Sequence, residues 1–269
     1  MFSKLYDALN AKTADEKCNL VKEIWKNFED LYTDKEAEIL PLLKPTFANF
    51  CQVVSPKEVP QGKILKQDIH LAYLLHSIVH IEFSAIDLAL DSAYRFRNMP
   101  KQYYYDWIEV AKEEVTHYEK LHGLLETLGF KYGDFKVHDT LFQALKICKN
   151  HLDRIALVPR GMEAVGLDVN PFLTTKIQKS KHKLQNEILD VLYLIFNEEI
   201  SHVSKGSVWF NYLCDINHIQ IKERPTKYIE ILSKYNFKLP KANTHLNKEA
   251  RIKAGFSAEE IDKLYLFSS

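Results

Sequence analysis

Two Glu-Glu-x-x-His runs are the residues of this chain whose types and spacing could bind a metal. The first, "EEVTH", spans residues 113–117, and the second, "EEISH", spans residues 198–202. Residues three apart lie on one face of a helix, so Glu114 and His117 would project together, as would Glu199 and His202. Carboxylate and imidazole groups together suit divalent iron or manganese. The chemistry to test is therefore metal binding between helices.

Counting in steps of four and three places each run in the middle of an apolar helical face. The first face consists of Trp107, Val110, Glu114, His117, Leu121, Leu124 and Leu128. The second consists of Ile188, Leu192, Ile195, Glu199, His202, Gly206 and Trp209. Glu113 and Glu198 lie about 100° away from these faces. We therefore expect the second glutamate of each run to point into a core and the first to point toward the flank or solvent.

Two interpretations of these pairs are open. Each glutamate could be satisfied by a hydrogen bond from its own histidine, and a single Glu-x-x-His run is a weak pattern. A buried carboxylate without a partner is very unfavourable, however, and here two such pairs interrupt two apolar faces. Their repetition favours a shared metal site.

A dinuclear carboxylate site in a four-helix bundle takes one further glutamate from each of the other two helices. One candidate face consists of Leu71, Leu75, Ile78, Glu82, Ala85 and Ala89, and the other of Leu152, Ala156, Pro159, Glu163 and Gly166. Each carries a single central carboxylate. The predicted ligands are Glu82, Glu114, His117, Glu163, Glu199 and His202. Four carboxylates and two imidazoles favour two iron ions, with manganese or a mixed pair as alternatives.

The helical pattern predicts an all-α fold with four long helices. They cover about residues 68–96, 102–128, 150–170 and 183–213, and Asp168 and Asn170 are expected to end the third. Residues 129–149, with a short helix in "LFQALKIC", would form a long crossover between the second and third helices. A crossover of this kind is typical of a ferritin-like four-helix bundle.

Helical extensions are expected on both sides of the bundle. The predicted organisation is an N-terminal helical extension and loop over residues 1–62, the bundle over 63–214, and a C-terminal extension packed on the bundle over 215–269. "TADE" is a capping-box pattern, and it predicts a helix that starts after Thr13 and reaches about Leu31.

Several single residues near the predicted site have more than one interpretation. Pro159 should kink or widen the third helix, which either aims Glu163 or is only a packing bend. Arg160 is either a partner that orients the ligand Glu163 or part of a surface salt bridge. His76 and His80 lie off the face of Glu82, and we expect them to pack or to support ligands rather than to bind metal.

Composition limits the class of protein. Lys and Arg together number 36, as do Asp and Glu, so no overall charge attracts nucleic acid or an anionic membrane. The four cysteines are scattered and form no Cys-x-x-Cys motif, which is typical of a reducing compartment. We see no signal peptide and no apolar run of about 18 residues. These features predict a cytoplasmic protein without a membrane span.

Longer segments of the sequence resemble a known family. "HSIVHIEFSAIDLALD", "AKEEVTHYEKLHGLLETLGFKYGDF", "RIALVPRGMEAVGLDVNPF" and "FNEEISHVSKGSVWF" are similar to the ferritin-like family catalogued as domain of unknown function 455, as is the tail segment "NKEARIKAGF". The resemblance spans about residues 70–256. It implies the ferritin-like fold and a dimetal site with the six ligands named above.

The predicted site favours a non-haem diiron oxidoreductase or oxygenase that activates O₂ or peroxide and acts on a small-molecule substrate. The electron donor is not indicated, and a monomer or small homo-oligomer is expected. Alternatives from other classes are iron handling or peroxide scavenging, a tRNA-modifying hydroxylase, and a bundle that keeps the metal only for structure. Neutral overall charge makes nucleic acid the less favoured partner.

Overall fold

The computed structural model describes residues 1–32, 38–239 and 246–268 of the 269-residue chain. Within these ranges the regular structure is helical, and the extended pairing is an isolated bridge between Val53 and Val137. The all-α prediction is confirmed. The α-helices are α1 (Phe2–Leu9), α2 (Ala14–Lys26), α3 (Phe28–Leu31), α4 (Asp68–Arg95), α5 (Lys101–Thr127), α6 (Thr140–Ile147), α7 (His151–Leu157), α8 (Ala164–Ser180), α9 (Gln185–Ile216), α10 (Arg224–Lys234), α11 (Lys248–Lys253) and α12 (Ala258–Ser268). Short 3-10 turns cover Thr46–Asn49, Pro56–Glu58 and Ile221–Glu223, and a π-helical turn covers Val158–Glu163.

The chain divides into two compact units. The first contains Met1–Leu145 and Ser180–Val191, and the second contains Lys146–Lys179 and Leu192–Ser269. Residues 33–37 of the predicted N-terminal extension and residues 240–245 and 269 of the C-terminal one lie outside the described ranges.

Helices α4 and α5 form an antiparallel pair in the first unit. The hydroxyl of Tyr103, near the start of α5, donates to the carbonyl of Ser92, near the end of α4, at 3.1 Å. Near the middle of both helices, Nδ1 of His117 lies 3.1 Å from Oε2 of Glu82. One contact lies at an end of the pair and the other near its middle, so together they fix the antiparallel direction and bring the centre of α4 level with the centre of α5.

Helix α4 is long and apolar enough, by length and composition, to cross a membrane. In the structure 61% of the most apolar stretch of this helix is buried. The helix also carries three buried polar side chains, those of His76, His80 and Asp87. Polar side chains that lie buried among neighbouring helices favour a core helix of a folded unit over a lipid-facing span.

The N-terminal helices pack on this pair. The Thr13 side chain accepts a hydrogen bond from the backbone N–H of Glu16 at 3.2 Å, so the predicted cap is confirmed. The helix stops at Lys26, earlier than predicted, because Asn27 adopts a non-helical conformation before the short α3. Lys17 of α2 is fully buried and donates to Asp87 of α4 and to backbone carbonyls at the end of α1. A buried ion pair therefore joins the N-terminal helices to the central one.

Two buried histidines of α4 hold the segment that follows α5. His80 accepts at Nδ1 from the hydroxyl of Tyr132 (2.7 Å) and donates from Nε2 to the carbonyl of His138 (2.6 Å). Nε2 of His76 accepts from the backbone N–H of Gly133 at 3.0 Å. Burial lowers the pKa of each histidine to about 4, so both are neutral at neutral pH. These nitrogens form hydrogen bonds with the segment that follows α5 and hold it against α4.

In the second unit the third predicted helix begins where expected. The Asn150 side chain accepts from the N–H of Asp153 at 3.0 Å and caps α7. The helix then widens into the π-helical turn at Pro159, which the missing N–H of proline predicts. The predicted widening is confirmed.

The predicted end of that helix is wrong. Helix α8 runs to Ser180 with Pro171 inside it, so Asp168 and Asn170 do not terminate it. Pro171 cannot donate to the carbonyl of Leu167, and the side chain of Asn247 donates to that carbonyl instead at 3.2 Å. The helix continues because a residue far along the chain replaces the missing donor.

Candidate metal centre

The first unit contains a buried group of three predicted ligands. Glu82 on α4 and Glu114 and His117 on α5 each offer a ligand atom within 4.8 Å of the others. Nδ1 of His117 lies 3.1 Å from Oε2 of Glu82 and 3.4 Å from Oε2 of Glu114. Glu114 and His117 are fully buried and Glu82 is 6% exposed. Two carboxylates and an imidazole therefore converge within an apolar interior.

The helical face predicted for α5 explains this convergence. Trp107, Val110 and Leu121, on the same face, are also buried. Glu114 is buried whereas its neighbour Glu113 is only partly so. The structure thus distinguishes the two glutamates of this run as the seven-residue spacing predicts.

The second unit contains the other Glu–His pair, on α9. His202 is fully buried, and the side chain of Glu199 is 13% exposed. Oε1 of Glu199 lies 3.8 Å from Nδ1 of His202, which is too long for a hydrogen bond. Within the described ranges, Oε2 of Glu199 is buried and has no hydrogen-bond partner. The interpretation of this pair as one that satisfies itself by hydrogen bonding is therefore not supported.

Glu163 is the last residue of the π-helical turn and is partly buried. The face predicted for this helix holds before the turn, where Leu152 and Ala156 are buried. After it, Gly166 is exposed and Leu167 is buried instead. A π turn contains one extra residue, so the buried face moves one position along the sequence beyond Glu163.

The side chain of Arg160 is 1% exposed, so the interpretation as a surface salt bridge is wrong. It donates to Oε1 of Glu260 at 2.9 Å and to Oγ of Ser207 at 3.1 Å. Sequence reasoning missed both partners because they lie 47 and 100 residues further along the chain, with no motif to mark them.

The fold and these groups define a helical protein with buried carboxylate–histidine sets on three of its long helices. The chain belongs to the family described as "Protein of unknown function (DUF455)", which matches residues 10–262. A relative from Haemophilus influenzae, named "Uncharacterized protein", is 35% identical over 271 residues, which cover 96% of this chain and 91% of the relative. No solved structure matches the chain.

Proposed function

We propose that this chain is a metal-dependent oxidoreductase of the ferritin-like diiron-carboxylate superfamily. In this proposal two metal ions, iron in preference to manganese, are bound by Glu82, Glu114, His117, Glu163, Glu199 and His202. The substrates are O₂ or peroxide and a small molecule, and a separate partner donates the electrons.

One observation carries the proposal: Glu82, Glu114 and His117 converge in the interior of the first unit. Two carboxylates at this depth are unfavourable without a cation, because burial removes their hydration. The donor set fits iron or manganese, since it combines hard oxygen ligands with imidazole and lacks thiolate. The uncompensated Oε2 of Glu199 gives the second unit a further carboxylate oxygen suited to a cation.

The protein residues would fix the metals and control access to them. Bound ferrous ions would supply the electrons that reduce O₂ or peroxide. The carboxylates of Glu82 and Glu114 would balance the cationic charge, and His117 would hold a nitrogen donor on the same helical face as Glu114. The buried side chains of Val110 and Leu121 on that face would keep water away from the ligands.

The expected setting of this activity is the cytoplasm, with the chain as a monomer or small homo-oligomer. Support for a reducing compartment comes from the cysteines. All four of them, Cys18, Cys51, Cys148 and Cys214, are free and buried.

Metal analysis of protein purified from iron-supplied cells tests the proposal. Wild type should contain about two metal ions per chain, the count of a dinuclear carboxylate site. Glu114→Gln, which keeps the size of the side chain, and Glu199→Ala should each lower bound iron sharply. Glu113→Gln is the matched control, because it changes the adjacent glutamate that lies off the core face. Equal iron in all four proteins would contradict the ligand assignment.

Oxygen uptake then separates an enzyme from a structural site. Reduced, iron-loaded wild type should consume O₂, measured with an oxygen electrode, and Glu114→Gln should not. Metal-loaded wild type that consumes neither O₂ nor peroxide would instead indicate that the bundle keeps metal only for structure.

A further inference from the structure

The π-helical turn that ends at Glu163 is held from outside its own helix. Val158, Pro159, Arg160 and Gly161 are buried, and Pro159 has no N–H to contribute to the helical ladder. A turn of this type interrupts the regular hydrogen bonds and is less stable than an α-helix, so its persistence needs contacts from elsewhere. The position and shape of this turn determine the direction in which the side chain of Glu163 projects.

Tyr228 of α10 supplies one of these contacts. Its hydroxyl donates to the backbone carbonyl of Arg160 at 2.6 Å, and the side chain is fully buried. A buried carbonyl needs a donor, and here a side chain satisfies the carbonyl in the middle of the irregular turn. The hydrogen bond therefore stabilises the turn in its widened form.

The Arg160 side chain forms a second contact, on the same turn. Its guanidinium lies 4.6, 4.7 and 4.3 Å from the ring centres of Phe210, Tyr228 and Phe256. It also donates to Glu260 of α12, whose other oxygen accepts from the backbone N–H of Ser257 at 2.8 Å. An arginine that is both ion-paired and enclosed by aromatic rings has little rotational freedom.

Two glycines let neighbouring elements pack closely on the turn. A Cβ atom added to Gly206 would lie 2.7 Å from Cβ of Pro159, and one added to Gly161 would lie 3.2 Å from a methyl group of Leu232. Gly206 is thus required for helix α9 to pack directly on the turn, and Gly161 lies in close contact with helix α10.

We propose that Tyr228, through its hydrogen bond to the Arg160 carbonyl, is a positioning residue for Glu163, and that Glu260 assists by fixing the Arg160 side chain. This inference rests on the proposed metal-binding function. Tyr228 itself is not a metal ligand. It acts only by keeping the turn in the shape that directs Glu163 to its place.

Titration of metal-free protein with Mn(II), followed by the electron paramagnetic resonance signal of the unbound ion, tests this role. Tyr228→Phe should weaken Mn(II) binding about tenfold, the size of effect typical of residues that orient a metal ligand. Tyr235→Phe is the matched control. It removes a hydroxyl of the same unit that donates to Asp153 at 2.9 Å, away from the turn, and should leave the affinity unchanged.

Glu163→Gln distinguishes positioning from a general structural role. If Tyr228 acts through Glu163, Tyr228→Phe should cause no further weakening in the Glu163→Gln background. Equal weakening in both backgrounds, or none in wild type, would overturn the inference. If Tyr228→Phe does not fold, as judged by circular dichroism, Glu260→Gln is compared in the same two backgrounds. If the wild-type protein binds neither Mn(II) nor iron, the proposed function itself is contradicted.

Discussion

Replacement of His80 by phenylalanine should weaken the dependence of stability on pH. The ring is buried on α4 against Phe47, at 4.7 Å between ring centres, so phenylalanine can fill the same space. Burial lowers the pKa of His80 from 6.5 to about 4 in the folded protein. Between these two values the unfolded chain binds a proton that the folded protein does not, so stability falls as the pH falls.

The size of the effect follows from the two pKa values. The contribution of His80 is fully present above pH 6.5 and is progressively lost as the pH falls toward 4. From about pH 7.5 to about pH 5.5 the loss amounts to about 1.3 kcal/mol for this one residue. His76, whose pKa is also lowered to about 4, should contribute a similar loss.

Urea unfolding of metal-free protein at the two pH values measures this difference. Wild type should lose about 1.3 kcal/mol more unfolding free energy than His80→Phe over the interval, although the variant is less stable at both pH values. Its lower stability arises because Tyr132 and the His138 carbonyl lose their hydrogen-bond partner. His218→Asn, at an exposed position, is the control and should behave like wild type. An identical pH dependence in wild type and His80→Phe would refute the reasoning.

Two further predictions concern packing. Lys17→Met should lower the unfolding free energy by about 3–5 kcal/mol, because it leaves Asp87 buried without its cation, and Lys17→Met with Asp87→Leu should recover most of the loss. A single variant as stable as wild type in urea would contradict this. Gly206→Ala should cost about 1–3 kcal/mol through its contact with Pro159. Gly123→Ala, whose new Cβ meets no atom within 4 Å, should instead stabilise helix α5 by about 0.5–1 kcal/mol; equal shifts in melting temperature would refute the contrast.

Local patterns sufficed to identify the long helices, though not all their ends, and the three candidate ligands in the first unit. Helical spacing alone selected Glu114 over Glu113, and the burial of the two residues agrees. Glu82 is selected as the single central carboxylate of its apolar face, and in the structure it lies close to His117. Such predictions succeed because one helical turn and one short connection determine the geometry.

Partners distant in sequence could not be predicted in the same way. Lys17 is fully buried because its ammonium group donates hydrogen bonds to two backbone carbonyls and to Asp87, which lies 70 residues further along the chain. Arg160 reads equally well as exposed, and its burial depends on three aromatic rings and on Glu260, which lies 100 residues away. The solvation of a charged group depends on all its neighbours, and most of these are supplied by tertiary packing.

The two prolines of the third helix show the same limit most directly. Each removes a backbone donor, and the sequence predicts a kink or widening at Pro159 and the end of the helix near Pro171. At Pro159 the helix widens, and the carbonyl of Arg160 is satisfied by Tyr228. At Pro171 the helix remains regular, because Asn247 donates to the carbonyl of Leu167. A donor from the C-terminal segment thus supports the helix at both prolines: Asn247 replaces the donor that Pro171 lacks, and Tyr228 satisfies a carbonyl within the turn that contains Pro159.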